Sequence, residues 1–208
     1  MTLWPWISLI ALGAWHGVNP AMGWLFAVSR GLQERRGSAT FGALAPIALG
    51  HALALGLAFA VLAVGAVSLP GRQLRWATAA LLIGFGAARV VRHRHPRWVG
   101  MRVGFGGLTW WSFLMATAHG AGLMLLPLFV VAADQPACHA RAGLSLASGV
   151  SYVSATLVHT AAMIAVTGAI ALVVYYKVGL ALLRHAWFDL DWLWSLALVI
   201  SGAFALIG

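Results

Sequence analysis

Apolar residues run along this chain in six long stretches, Leu3–Val28, Phe41–Leu69, Trp76–Val91, Val103–Ala133, Leu144–Tyr176 and Trp192–Gly208, parted by short polar connections. Runs this continuous lack the two-residue alternation of a barrel strand. Backbone groups in hydrocarbon must be satisfied within their own segment, so the stretches predict helices. About 20 residues cross ~30 Å of hydrocarbon, which leaves the third and sixth stretches marginal and gives the second, fourth and fifth length to spare for tilt or a break. The first stretch has no basic region ahead of it and is read as structure rather than a secretion signal. The expected fold is all-α integral membrane, with six transmembrane helices. Composition agrees: 62% of the 208 residues are hydrophobic and 8% are charged, which excludes a soluble domain.

The formal charge of +9 is distributed unevenly, and that makes it a topology signal. Arg30, Arg35, Arg36, Arg89, Arg92, Arg94, Arg97, Arg102, Lys177 and Arg184 cluster around connections one, three and five; Arg72, Arg75 and Arg141 fall in the alternate ones. Connections Ser29–Thr40, Arg92–Arg102 and Lys177–Asp191 are therefore expected inside. Both termini then lie on the non-cytoplasmic side of an inner or plasma membrane in a multi-pass protein. The lipid bilayer accounts for the charge and no nucleic acid is needed. The Arg92-His93-Arg94-His95 run reads as a solvated anchoring loop in preference to a metal or lipid site. Cys138 and His139 form an incomplete ligand pair and read as an ordinary loop.

Internal similarity organises the six stretches. Trp15-His16-Gly17 falls over Ala118-His119-Gly120, Leu49-Gly50-His51 over Leu157-Val158-His159, and Gly86-Ala87 over Gly202-Ala203, at offsets that grow along the chain as loop insertions would make them. Residues 1–102 and 103–208 thus form two three-helix repeats of one membrane domain. Three spans is an odd number, so the second repeat enters the membrane reversed: the repeats are inverted.

His16, His51, His119 and His159 fall in the middle of four separate stretches and pair under this repeat. An ionisable side chain in lipid is costly and faces a bundle interior or cavity, so the four point to one shared site near the midplane. Imidazole suits zinc, nickel, cobalt, copper or iron; calcium, magnesium and manganese want carboxylates that these stretches lack. Asn19 is expected three residues beyond His16 on the same helix face, as an oxygen ligand or support. Gly17, Pro20, Gly120 and Pro46 supply helix breaks, with Pro20 leaving the His16 carbonyl free. Met115 and Met163, each four residues from a central histidine, either add thioethers or pack as core, and core packing is the plainer reading.

The His16-Gly17-Val18-Asn19-Pro20 segment, the duplicated three-span plan and the small size resemble the lysine exporter superfamily, and within it the nickel/cobalt permeases and urease-accessory-like membrane proteins. The resemblance implies transition-metal transport. Asn19 and Pro20 stand where the nickel permease pattern continues with an Asp-His pair.

The function expected is transport of a transition-metal ion through the four-histidine site by alternating access, with no catalytic residues. Two alternatives stay open: a haem-binding redox or cofactor-assembly protein, and a non-transporting partner in metalloenzyme maturation. A homo-oligomer is compatible with either. Trp4, Trp6, Trp76, Trp98, Trp110, Trp111, Trp187, Trp192 and Trp194 lie near span ends and read as interfacial anchors. Asp189 and Asp191 read as the start of the last helix.

Overall fold

Pro20 has no N–H to donate to the carbonyl one turn back, and α1 (Trp4–Val18) stops short of it. Asn19 turns extended, a 3-10 turn covers Pro20–Met22, and Gly23 at φ 121° starts α2 (Trp24–Glu34). The chain continues through α3 (Gly37–Ser68), α4 (Gly71–Val91), α5 (Phe105–Ala118), a 3-10 turn (Leu123–Leu125), α6 (Leu126–Ala133) and α7 (Gly149–Val173), which runs on into a π-helical turn, Val174–Val178. It ends with α8 (Asp191–Ile207). This computed structural model describes residues 3–91, 104–133, 149–178 and 191–207, all helix or turn with no strand among them. Connection Arg92–Arg102 with its Arg-His run, the repeat boundary at 102/103, the Cys138–His139 pair, Arg141, Arg184, Trp98, Trp187 and Asp189 lie outside the described residues. Asp191 opens α8, at the expected helix start.

The second break is built differently from the first. Gly120 takes φ 68°, its N–H bonds the Thr117 carbonyl, and the Ala121 N–H reaches back to Ala116 at 2.9 Å. This pair of bonds around a left-handed glycine is the Schellman ending of a helix. The expected breaks at Pro20 and Gly120 are therefore present. Two others are not. α3 passes through Pro46 without interruption, and Gly17 lies inside α1.

The expected polar connection Ser29–Thr40 is also corrected, to a turn of two residues. Arg, Gln and Glu are good helix formers, so α2 runs on through them to Glu34, with Arg30 and Glu34 paired one turn apart at 2.9 Å. Arg35, left-handed at φ 52°, reverses the chain, and α3 begins at Gly37. Glu34 also meets Arg36 at 2.5 Å; the Arg36 and then the Arg30 guanidinium hold its carboxyl below the usual carboxylate range.

By length and composition α3 and α7 with its π turn are each able to cross a membrane, and α5 with α6, bent by 49°, make a third span when taken together. Their outer faces support this. Leu49, Leu53, Leu57, Val61 and Val64 form an exposed stripe along α3, as do Val150, Val153 and Leu157 on α7. Apolar area this continuous suits a hydrocarbon surround.

Inside, small residues set the helix spacing. A methyl group added at Gly13 or Gly17 of α1 would strike the carbonyls of His159 or Met163 on α7, and one at Gly50 of α3 would strike Thr109 on α5. Gly86 of α4 and Gly202 of α8 each press on the other's helix, at Ser195 and Ala79. Glycine at such crossings lets backbones approach closely. Contacts follow the chain in one sense where α1 meets α7 (Gly13 at His159, Gly17 at Met163) and where α3 meets α5 and the turn after it (Gly50 at Thr109, Ala58 at Gly122), so those pairs are parallel. They run oppositely where α3 meets α7: Leu44 lies at Gly168, His51 at His159, and Phe59 at Tyr152. α4 and α8 are likewise antiparallel, with Arg75 at the start of one bonding the Ala205 and Leu206 carbonyls at the end of the other, each at 2.6 Å.

Candidate functional site

Four helices each deliver one imidazole to the interior. His16 lies in the last turn of α1, His51 and His159 near the middle of α3 and α7, and His119 at the end of α5. All four are at most 1% exposed. The ring centroids of His16, His51 and His159 form a nearly equilateral triangle, with sides of 5.7 Å (His16–His51), 5.0 Å (His16–His159) and 5.4 Å (His51–His159). This follows from the packing: His51 and His159 meet where antiparallel α3 and α7 cross, and Gly13 and Gly17 bring α1 close enough to α7 to add His16.

Hydrogen bonding fixes which nitrogen two of the three present. His16 Nδ1 lies 2.7 Å from the Leu12 carbonyl, and His159 Nδ1 lies 3.2 Å from the Leu9 carbonyl. A carbonyl only accepts, so each Nδ1 carries the proton and donates it, and each neutral ring keeps its lone pair on Nε2. Those Nε2 atoms, and both nitrogens of His51, are buried with no hydrogen-bond partner among the described residues. Ring nitrogens this deep ordinarily find one.

His119 occupies a different position. Its Nδ1 holds the Met115 carbonyl at 2.8 Å, and its ring stands 6.0 Å from that of Trp194. The Trp194 indole also lies 4.5 Å from His16 and 5.9 Å from Trp15, so it touches both the triangle and the fourth histidine. The expectation of an interfacial Trp194 is thus overturned: it is 1% exposed and packs with Leu82, Met124 and Leu198. Trp4, Trp76 and Trp110 do face outward.

Asn19 is corrected too. The helix ends before it, so it does not share a face with His16. Its Oδ1 instead accepts from the Ala21 N–H at 2.9 Å, capping the 3-10 turn, and its N–H bonds the His16 carbonyl at 3.2 Å. That carbonyl is therefore not free, because the turn supplies the donor that Pro20 lacks. Met163 packs with Met22, Trp24, Ile47 and Leu108, as a core residue does; Met115 is buried in α5.

The two breaks differ in charge. At the end of α5, the Arg89 guanidinium from α4 donates to the Ala118 carbonyl. At the end of α1 the donors are neutral: Trp24 Nε1 to Val18 at 3.0 Å and Thr167 Oγ1 to Gly17 at 3.4 Å. The acidic residues within the described residues are Glu34, tied to its arginines, and Asp191.

Two imidazoles bound tetrahedrally to one ion at ~2.05 Å per nitrogen have ring centres about 5.2 Å apart, close to the sides of the triangle. The rings stand at the right separation, but among the described residues no three His, Cys, Asp or Glu side chains are already gathered as a metal-ligand group. Sequence reasoning missed Trp194, which composition cannot tell from an interfacial anchor, and Gly13, which the Gly13–Gly17 spacing of four could have exposed as a packing motif. No family model, curated protein or solved structure matches this chain.

Proposed function

We propose that this protein is a six-span membrane transporter for a transition-metal cation, with His16, His51 and His159 as the ion's ligands and His119, across Trp194, as a station beside them. One observation carries the reading: three buried imidazoles within 5.7 Å of each other offer ring nitrogens that nothing in the described protein satisfies. Two of them are held by Nδ1 bonds to main chain, the arrangement that orients metal-binding histidines.

Alternating access is supported by the helix directions. If α1 with α2, α3 and α4 form one unit and α5 with α6, α7 and α8 the other, exchanging the units converts the parallel α1–α7 contact into the parallel α3–α5 contact. It returns the antiparallel α3–α7 and α4–α8 pairs to themselves. A twofold axis in the membrane plane has this effect, and it would pass close to His51 and His159. Each unit has one broken helix, and the glycine-lined crossings, α1–α7, α3–α5 and α4–α8, all lie between the units, where one can rock on the other. The spacing of the rings favours a single ion over haem, since imidazoles on opposite faces of an iron stand about 6.4 Å apart from ~2 Å bonds on each side. The resemblance to nickel/cobalt permeases points the same way.

The test is elemental analysis and vesicle uptake with purified protein, comparing wild type with His51→Ala/His159→Ala. Loss of bound metal and of uptake in the variant is expected. Metal content unchanged by the double substitution removes the proposed ligands, and metal bound without uptake moves the protein to the class of non-transporting binders.

A further inference from the structure

We infer that the site is built for a soft monovalent cation rather than a divalent one, and that Trp194 is the residue that makes this choice. The inference rests on the reading that the histidine triangle takes a cation at all.

Charge is the first argument. The triangle is made of imidazoles, which bring no negative charge of their own, and of the two acidic residues among the described residues Glu34 is tied to Arg30 and Arg36 at the α2–α3 turn while Asp191 opens α8. The cost of taking an ion out of water rises with the square of its charge, so a divalent ion pays about four times what a monovalent one does for the same burial. The compensation on offer is small. His16 sits in the last turn of α1, and a helix C-terminus contributes roughly half a negative charge. The donors to its last carbonyls are neutral, so that partial charge is still available to an ion. At the matching end of α5 it is already engaged by Arg89. Among the described residues, the field at the triangle therefore suits one positive charge better than two.

The wall beside the triangle is the second argument. The Trp194 ring centre lies 4.5 Å from that of His16, the two planes tilted by 57°, and positive charge shared onto His16 by a bound ion falls inside the ~6 Å of an indole centroid over which cations are attracted. The indole is 1% exposed, where such attraction is least diluted by water, and its Nε1 has no hydrogen-bond partner among the described residues. A polarisable ring rewards a soft, weakly hydrated ion. It offers no oxygen to a divalent ion that keeps part of its water shell.

The experiment uses the full-length chain in detergent, carrying Cys138→Ser so that the thiol does not capture silver. Ag(I) serves as the probe because it needs no reductant, in chloride-free buffer, against Zn(II) and Ni(II). Ag(I) is expected to bind at one site at least tenfold more tightly than either divalent ion and to quench part of the tryptophan emission. Trp194→Leu, which keeps bulk but removes the ring, is expected to lower Ag(I) affinity about tenfold more than Zn(II) affinity, with Trp194→Phe in between; unfolding curves and retained Zn(II) binding identify variants that remain folded. Zn(II) or Ni(II) binding as tight as Ag(I), still dependent on His51 and His159, overturns the monovalent preference and leaves the transporter reading standing. Equal losses for Ag(I) and Zn(II) in Trp194→Leu overturn the role of the indole. Absence of any ion bound through the triangle overturns both readings.

Discussion

At the scale of single residues, the site depends on atoms that are missing. Gly13 and Gly17 carry no side chain where the His159 and Met163 carbonyls need the room, so Gly13→Ala is expected to push α1 away from α7 and cost about 1–3 kcal/mol, as overpacking does. Gly42, on the same kind of apolar helix but with nothing within 4 Å of an added methyl, is the control: Gly42→Ala is expected to be neutral or to gain about 0.5–1 kcal/mol from helix propensity. Unfolding in detergent measures both. On the proposed function, Gly13→Ala is also expected to weaken metal binding, because His16 rides on α1. Similar melting of the two variants would mean that the crossing is not tight. All four histidines were legible in the sequence, since an imidazole within an apolar run is conspicuous by its cost. Trp194 was not: tryptophan is compatible with both the interface and the core, and only the contacts of α8 distinguish them.

At the scale of helices, the ends are secured by long cationic side chains. Arg75 on α4 satisfies two of the final carbonyls of α8, which would otherwise have no partner within the helix. Removing it in Arg75→Met is expected to cost about 1–2 kcal/mol, a discounted value because the side chain is only part-buried, and to fray α8 at its C-terminus. Hydrogen exchange at residues 203–207 reads the fraying directly; unchanged protection there would deny Arg75 this role. The sequence shows these helices well where proline or glycine punctuates them, at Pro20 and Gly120. It misleads at Ser29–Thr40, where polar residues look like a loop yet are good helix formers that carry α2 to Glu34. It misleads again at Pro46, which α3 accommodates. The polarity of a segment reports its surroundings more directly than its backbone conformation.

At the scale of the whole molecule, the proposed topology fixes which turns face which compartment. In a Cys138→Ser background, a cysteine at Arg35 is expected to react with an impermeant thiol reagent only from the cytoplasmic side, and one at Leu69, between α3 and α4, only from outside. Labelling of both from one side would break the positive-inside assignment and with it the alternation of spans. The bonding of His159 has a consequence at this scale. Its ring belongs to α7, but the carbonyl that orients it belongs to Leu9 of α1. A slip of α1 by a single residue, ~1.5 Å along its axis, would take that carbonyl out of reach and leave the ring at liberty to exchange tautomers. In the proposed transporter, the strength with which this histidine would grip its cargo would be geared to the mutual position of two helices, so motion and release would share one mechanical linkage.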